Sequence, residues 1–341
     1  MGARTLGEHN SAVLFCKLRR PERRVNPARL LPLRGHRHPP ALFYMRSQRF
    51  LIGFVLLLTT FHLFGKPLPK PVPNSKLLVL GHAGSGFFTP ISPFNFRPPS
   101  SWRGVRHALR LGADGVEVDL QLSQDSVPML YHDRELQNSS TGHGCVSQYP
   151  AAELVRLRYR GGWPYDWFQH ERPISFDTLL ARLSRRPTFP HLHLDLHEDD
   201  LCLPAGHQHD KTPVLIRQLA LSLRRYHVPP EQVLLVTQEH GTIRLVRATM
   251  PEVRIGLEIA SDEFALGLRL AKAEKVHTVV LDADRVTPEQ TAQARAAGLA
   301  VVVFGGRSAK DIRRVLATQP DEIEVDNVKR LLILQGRGKK D

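Results

Sequence analysis

Two short stretches carry more ionisable side chains than a buried strand ordinarily tolerates. Residues 115–121 read Gly-Val-Glu-Val-Asp-Leu-Gln, and residues 191–197 read His-Leu-His-Leu-Asp-Leu-His. Side chains alternate across an extended chain. Val116, Val118 and Leu120 therefore share one face, and Glu117, Asp119 and Gln121 the other. In the second stretch Leu192, Leu194 and Leu196 oppose His191, His193, Asp195 and His197. A carboxylate withdrawn from water costs on the order of several kcal/mol unless a partner or a cation compensates. Glu117, Asp119 and Asp195, near the ends of their strands, would suit Mg2+ or Ca2+, which prefer oxygen ligands. The plainer alternative is a solvated strand face, which alternation allows equally.

Two histidines end similar runs: His82 in Gly-His-Ala-Gly-Ser-Gly (81–86), and His132 in Leu-Tyr-His-Asp (130–133). A pair of imidazoles can take a proton from an attacking hydroxyl and give one to a leaving oxygen, as phosphoester cleavage requires. The chain has 17 histidines, so position alone marks none of them as reactive. The glycine-rich stretch has neither the P-loop spacing nor the dinucleotide fingerprint. Gly84 and Gly86 are instead expected to let backbone come close to a ligand beside His82.

The elements that must carry these residues recur regularly. Short apolar runs lie at Leu77–His82, Gly115–Leu120, His191–Leu196, Gln232–Thr237, Arg254–Ile259, His277–Asp282, Leu299–Phe304 and Asp321–Asp326. Helical periodicity falls between most of them, at Trp102–Leu111, Phe176–Arg185, Pro213–Tyr226, Gly241–Thr249, Asp262–Lys272, Thr287–Ala297 and Ala309–Ala317. Strands alternating with helices imply parallel β/α units. Eight such units predict an α/β fold of the (β/α)8 TIM-barrel type over residues 76–333, with an open doubly wound sheet as the structural alternative. An insertion follows the second strand, at about residues 121–172 by the length priors for such loops. It contains the strand-like Pro128–Tyr131 and an aromatic loop, Gly-Gly-Trp-Pro-Tyr-Asp-Trp-Phe. Such insertions sit at the C-terminal rim, where barrel active sites are built.

The net charge of +14 is concentrated at one end. Residues 1–49 hold 11 Lys/Arg against 2 Asp/Glu. The basic balance is thus largely terminal, and no nucleic-acid-binding motif or basic stripe accompanies it. Residues 50–65 form an apolar run preceded by Arg46 and Arg49, the pattern of a secretory signal peptide or membrane anchor. Met45 is a possible start, and residues 1–49 read as a basic extension. Residues 66–75 form a Pro-rich linker and 334–341 a basic tail. The domain is therefore expected to be exported: periplasmic, secreted, or membrane-anchored with membrane contact through the N-terminal segment if uncleaved. Cys145 and Cys202 are permitted to bridge in an oxidising compartment, although two cysteines do not establish it.

His82-Ala83-Gly84, the segment Gly112–Gly142 and Pro173–Leu180 together resemble the glycerophosphodiester phosphodiesterase family. The resemblance implies a metal-dependent hydrolase that splits a small glycerophosphodiester into glycerol phosphate and an alcohol. His82 and His132 would be the acid/base pair, and Glu117, Asp119 and Asp195 the metal ligands. His197, Gly84 and Phe304 would contact substrate, and Asp326 would stand where the family often has Thr-Asp. The match has departures. Ala83 stands in place of a phosphate-contacting Arg, Pro98-Pro99-Ser100-Ser101 in place of Pro-Glu-Asn-Thr, Asp195 for Glu, His197 for Lys and Phe304 for Trp. Arg156, Arg158 and Arg160 are candidates to supply the missing positive charge. Two other functions stay open: a phospholipase-type phosphodiesterase on the same barrel, and a catalytically silent protein that holds phosphodiesters.

Overall fold

The computed structural model describes residues 77–87 and 95–338. The expectations for residues 1–49, 50–65 and 66–75 lie outside the described residues. Among the described residues no helix is long and apolar enough to cross a membrane.

Ten strands form one sheet: β1 (Leu78–Gly81), β2 (Gly115–Leu122), β3 (Pro128–Leu130), β4 (Ile174–Ser175), β5 (His191–Leu196), β6 (Val233–Thr237), β7 (Arg254–Glu258), β8 (Thr278–Asp282), β9 (Ala300–Phe304) and β10 (Glu322–Val325). Eight are parallel and run in the order β2-β5-β6-β7-β8-β9-β10-β1. The sheet closes because β1 pairs with both β10 and β2. This is the expected (β/α)8 barrel. The doubly wound alternative falls with that closure, since an open sheet would leave β1 or β2 at an edge.

The helices begin and end where local chemistry directs. Ser101 caps the helix Trp102–Leu111 by accepting from Gly104 N, and Gly112 ends it in the left-handed region. Thr287 and Gln290 form a reciprocal capping box with Pro288 at the first helical position. Leu192, Leu194 and Leu196 join Val116, Val118 and Leu120 in the main core beneath these helices. A final helix, Val328–Leu334, follows β10 and buries Leu331, Leu332 and Leu334. Arg337, just beyond it, pairs with Asp114 at 2.7 Å.

The insertion is a small structure of its own. β3 pairs antiparallel with β2 and with β4. Met129, Tyr131, Leu136, Val146, Leu154 and Tyr159 form a separate core. Cys145 and Cys202 are bridged, which ties the insertion to the loop after β5. Tyr165 is buried, whereas Trp163 and Trp167 are 78% and 70% exposed. The aromatic loop therefore divides between packing and display.

Candidate active site

The inner surface of the barrel is unequal. On one side Leu234, Val236, Val280 and Val302 form an apolar lining. On the other, β2, β5 and β10, with His82 just after β1, place ionisable groups at the inner surface. Where those four strands end, a cavity of about 280 Å³ opens, lined among others by His82, Glu117, Asp119, His132, Asp195, His197 and Phe304. Seven of the eight residues expected at the site thus line one cavity, with Phe304 on its apolar side. Gly84 is not among the lining residues. It has φ +82°, and a side chain there would meet the backbone N of Val105 at 2.9 Å. The expected approach of backbone to a ligand at Gly84 is therefore replaced by packing against the helix Trp102–Leu111. Gly86 likewise packs on protein, with Asp326 backbone where its Cβ would stand.

That packing brings His82 against Asp326. His82 Nδ1 lies 2.7 Å from Asp326 Oδ1, and Arg307 Nε donates to Asp326 Oδ2 at 2.8 Å. The second ring nitrogen, Nε2, is 4.0 Å from Glu117 Oε2. Burial alone would lower the pKa of His82, but the Asp326 hydrogen bond and nearby carboxylates raise it to about 9.

His132 is held by the residue that ends the polar face of β2. Gln121 Nε2 donates to the carbonyls of Tyr131 and Asp133 at 2.8 Å each, gripping the backbone on both sides of the histidine. His132 Nδ1 contacts Asp133 Oδ1 at 3.1 Å. The Phe87 ring stands between the two imidazoles, with centroids 5.3 Å from His82 and 4.9 Å from His132.

β2 and β5 are in register so that Asp119 lies beside Asp195. Asp119 Oδ2 accepts from Ser100 Oγ at 2.5 Å. His197 Nε2 lies 3.1 Å from Asp119 Oδ1 and 3.4 Å from Asp195 Oδ2. Burial disfavours charge on both Asp119 and His197. The His197 contact overrides it for Asp119, whose carboxyl is pulled below the usual range. The reverse holds for Glu117: burial, then repulsion from Asp119, pushes its carboxyl well up. Glu117 is 3% exposed, and its Oε1 has no hydrogen-bond partner.

The donor set fits a dication. Ligand atoms of Asp119, Asp195 and His197 lie within 4.8 Å of one another. An orphaned buried carboxylate oxygen on Glu117 lines the same cavity, and a buried oxygen without a partner is costly.

Several site residues were not anticipated. Glu324 and Glu258 also line the cavity. Burial and then Asp195 raise the Glu258 carboxyl to about 8. Glu322-Ile323-Glu324-Val325 shows the same alternation that singled out β2 and β5, so Glu324 was within reach of that signal. Arg156, Arg158 and Arg160 do not line the cavity. Among the described residues the arginine that does is Arg134, which pairs with Asp199 at 2.7 Å.

A closed eight-stranded barrel with His and carboxylate groups at the C-terminal mouth defines a class of rim-active TIM-barrel proteins. Within it, the chain belongs to the Glycerophosphoryl diester phosphodiesterase family, which matches residues 97–330. A probable glycerophosphodiester phosphodiesterase 1 of Mycobacterium tuberculosis is 42% identical over 71 residues, covering 21% of this chain and 26% of the relative. The chain thus spans about a quarter of the length of that curated relative. A glycerophosphodiester phosphodiesterase of Caldanaerobacter subterraneus is 22% identical over 77% of this chain and 99% of its own length. A solved phosphodiesterase of Oleispira antarctica, in complex with the product sn-glycerol-3-phosphate, is similar in fold. Its TM-score is 0.63 at 19% identity, covering 75% of this chain and 96% of that one.

Proposed function

We propose that the chain is a metal-dependent phosphoric diester hydrolase that cleaves small glycerophosphodiesters to glycerol phosphate and an alcohol. The observation that carries this reading is the convergence of His82, His132 and the carboxylates of Glu117, Asp119 and Asp195 on one cavity. Family membership and the product named for the Oleispira antarctica structure support the same substrate class.

Glu117, Asp119 and Asp195 would hold a dication such as Mg2+ or Ca2+. The chemistry supplied by such an ion is neutralisation of charge on the phosphoryl oxygens. The protein's own groups then handle protons. Asp326 occupies His82 Nδ1, so Nε2 is the atom left to exchange a proton inside the cavity. Asp133 holds His132 Nδ1 in the same way. One imidazole removes the proton from the attacking hydroxyl, either water or the neighbouring glycerol hydroxyl. The other protonates the departing alkoxide. Phe304, whose ring centroid is 5.7 Å from that of His82, gives the substrate an apolar wall.

The bridge between Cys145 and Cys202 supports placement of this domain in an oxidising compartment, outside the cytoplasm. Exposure of Trp163 and Trp167 favours a second reading, in which the phosphodiester belongs to an intact phospholipid at a bilayer surface. An assay of glycerophosphocholine against phosphatidylcholine vesicles, with a panel of dications, tests both. Release of glycerol phosphate that stops with EDTA is expected. Turnover in metal-free protein would remove the metal from the mechanism, and cleavage restricted to vesicles would favour the second reading.

A further inference from the structure

We propose that His197 is itself a ligand of the catalytic dication, giving the site one imidazole nitrogen beside the carboxylates of Asp119 and Asp195. The inference rests on the metal-dependent reading above and deepens it. It changes the class of ion: a site with a nitrogen donor takes Mn2+, Co2+ or Zn2+ in preference to Mg2+ or Ca2+.

The geometry points there in three ways. His197 Nε2 faces two carboxylates at once, at 3.1 and 3.4 Å. Ligands of one transition ion, each about 2.0–2.2 Å from it, stand roughly 3 Å apart. Two of the three donor pairs have that spacing and all three donor groups lie within 4.8 Å of one another, so a single ion can bridge them with modest rearrangement. Second, the backbone that carries the imidazole is anchored. His197 N donates to Leu120 O at 3.0 Å, holding the residue after β5 against β2. Third, the side chain is 22% exposed and lines the cavity, as does Glu117 with its unpartnered, buried Oε1. A site of carboxylates alone suits Mg2+ or Ca2+, whereas imidazole shifts preference along the transition series.

The rival role for His197 is that of an imidazolium, a proton-bearing cation facing the phosphate. The two roles differ in whether Nε2 carries a proton or a metal, and that difference is spectroscopic. The untagged full-length chain is loaded with Mn2+ and examined by pulsed electron paramagnetic resonance. Nitrogen coupling from one imidazole is expected in the wild type and is absent in His197→Lys and His197→Gln. In parallel, Zn2+ and Co2+ affinities fall at least about 10- to 100-fold in both variants, the range seen when even a supporting residue of a metal ligand is lost. Mg2+ affinity changes much less.

Mn2+ bound without nitrogen coupling, or coupling that survives both substitutions, overturns the proposal. If phosphodiesterase activity then persists and still needs a dication, the proposed function stands without it. If no dication binds and hydrolysis proceeds in chelator, both fall. Should the His197 variants fail to fold, His82→Gln, His132→Gln and His209→Gln assign the wild-type signal. Loss of the signal in any of the three overturns the proposal, and persistence through all of them supports it.

Discussion

β5 and the residue that follows it carry two histidines four residues apart, His193 and His197, and each lies between two carboxylates. His193 Nδ1 is 2.5 Å from Glu324 Oε1, and its Nε2 is 2.8 Å from Glu322 Oε2. Arg254 then pairs with Glu322 at 2.6 Å. His197 sits between Asp119 and Asp195 at similar distances. The sequence pattern around the two is nearly the same, yet their situations are opposite. His193 is 1% exposed and does not line the cavity, and charge on one side is answered by charge on the other. His197 and its carboxylates open onto the cavity, beside a buried Glu117 oxygen that has no partner. A buried ion cluster fixes structure, and one that opens at a mouth is available for binding. The lesson is that a His flanked by acids acquires meaning from its access to the cavity, since His193 Nε2 and Glu322 Oε2 also lack a well-aligned hydrogen bond and Glu324 reaches the cavity lining.

Five substitutions or conditions break or sharpen that contrast. The largest effect belongs to the open end. His82→Ala or His132→Ala should lower kcat by at least about a hundredfold with folding intact, since one positioned acid or base contributes 10²–10⁴-fold. Steady-state kinetics alongside thermal melting measures this, and full turnover in either variant would remove that histidine from the mechanism. At the closed end, His193→Ala should leave the buried Glu324 without its partner and Glu322 with Arg254 alone, and destabilise the barrel by about 3–5 kcal/mol. Urea denaturation reports it. A variant as stable as the wild type would show that the closed cluster is not structural.

Next comes the bridge that joins the insertion to the loop after β5. Replacing Cys145 and Cys202 with Ser together frees a loop of sequence separation 57. The expected cost is about 2–4 kcal/mol, read by the same denaturation. Gln121→Ala follows. It removes two donors from the backbone around His132, for an expected loss of about tenfold in kcat, consistent with roughly 1–3 kcal/mol for unsatisfied buried groups. An effect on KM alone would argue that the histidine stays in place without them.

The smallest effect is pH dependence. Burial disfavours the His193 cation, but Glu322 and Glu324 raise its pKa from 6.5 to about 9. Its contribution to stability is thus complete below pH 6.5 and lost as pH rises through about 9. Glu322 is lowered from 4.5 to about 2, against burial, chiefly by His193. That contribution is present above pH 4.5 and fades as pH falls through about 2. The wild-type stability profile should therefore decline between pH 6.5 and 9, and the profile of His193→Ala should be flatter there.

Much of this architecture is written in local pattern. The eight barrel strands were legible because each is a short apolar run bounded by polar turns, and the observed ends differ from the expected ones by a residue or two. The polar faces of β2 and β5 were legible because alternation survives burial. What escaped is long-range. His82 meets Asp326 across 244 residues, and Arg134 meets Asp199 across 65. No local period encodes such pairs. The insertion was legible by its length and its strand-like Pro128–Tyr131, but its separate core was not, because Leu136, Val146, Leu154 and Tyr159 are brought together from short, separated elements. Arg156, Arg158 and Arg160 lie in the same insertion as Arg134, and only the path of the chain brings Arg134 to the cavity. Glu324 escaped because Glu322 and Glu324 sit in a strand whose final Asp326 drew attention instead.

Phe87 makes T-shaped contacts with both His82 and His132. Under the proposed acid–base roles, one apolar side chain would set the packing of both proton carriers, so a change at that ring would reach both ends of the reaction together.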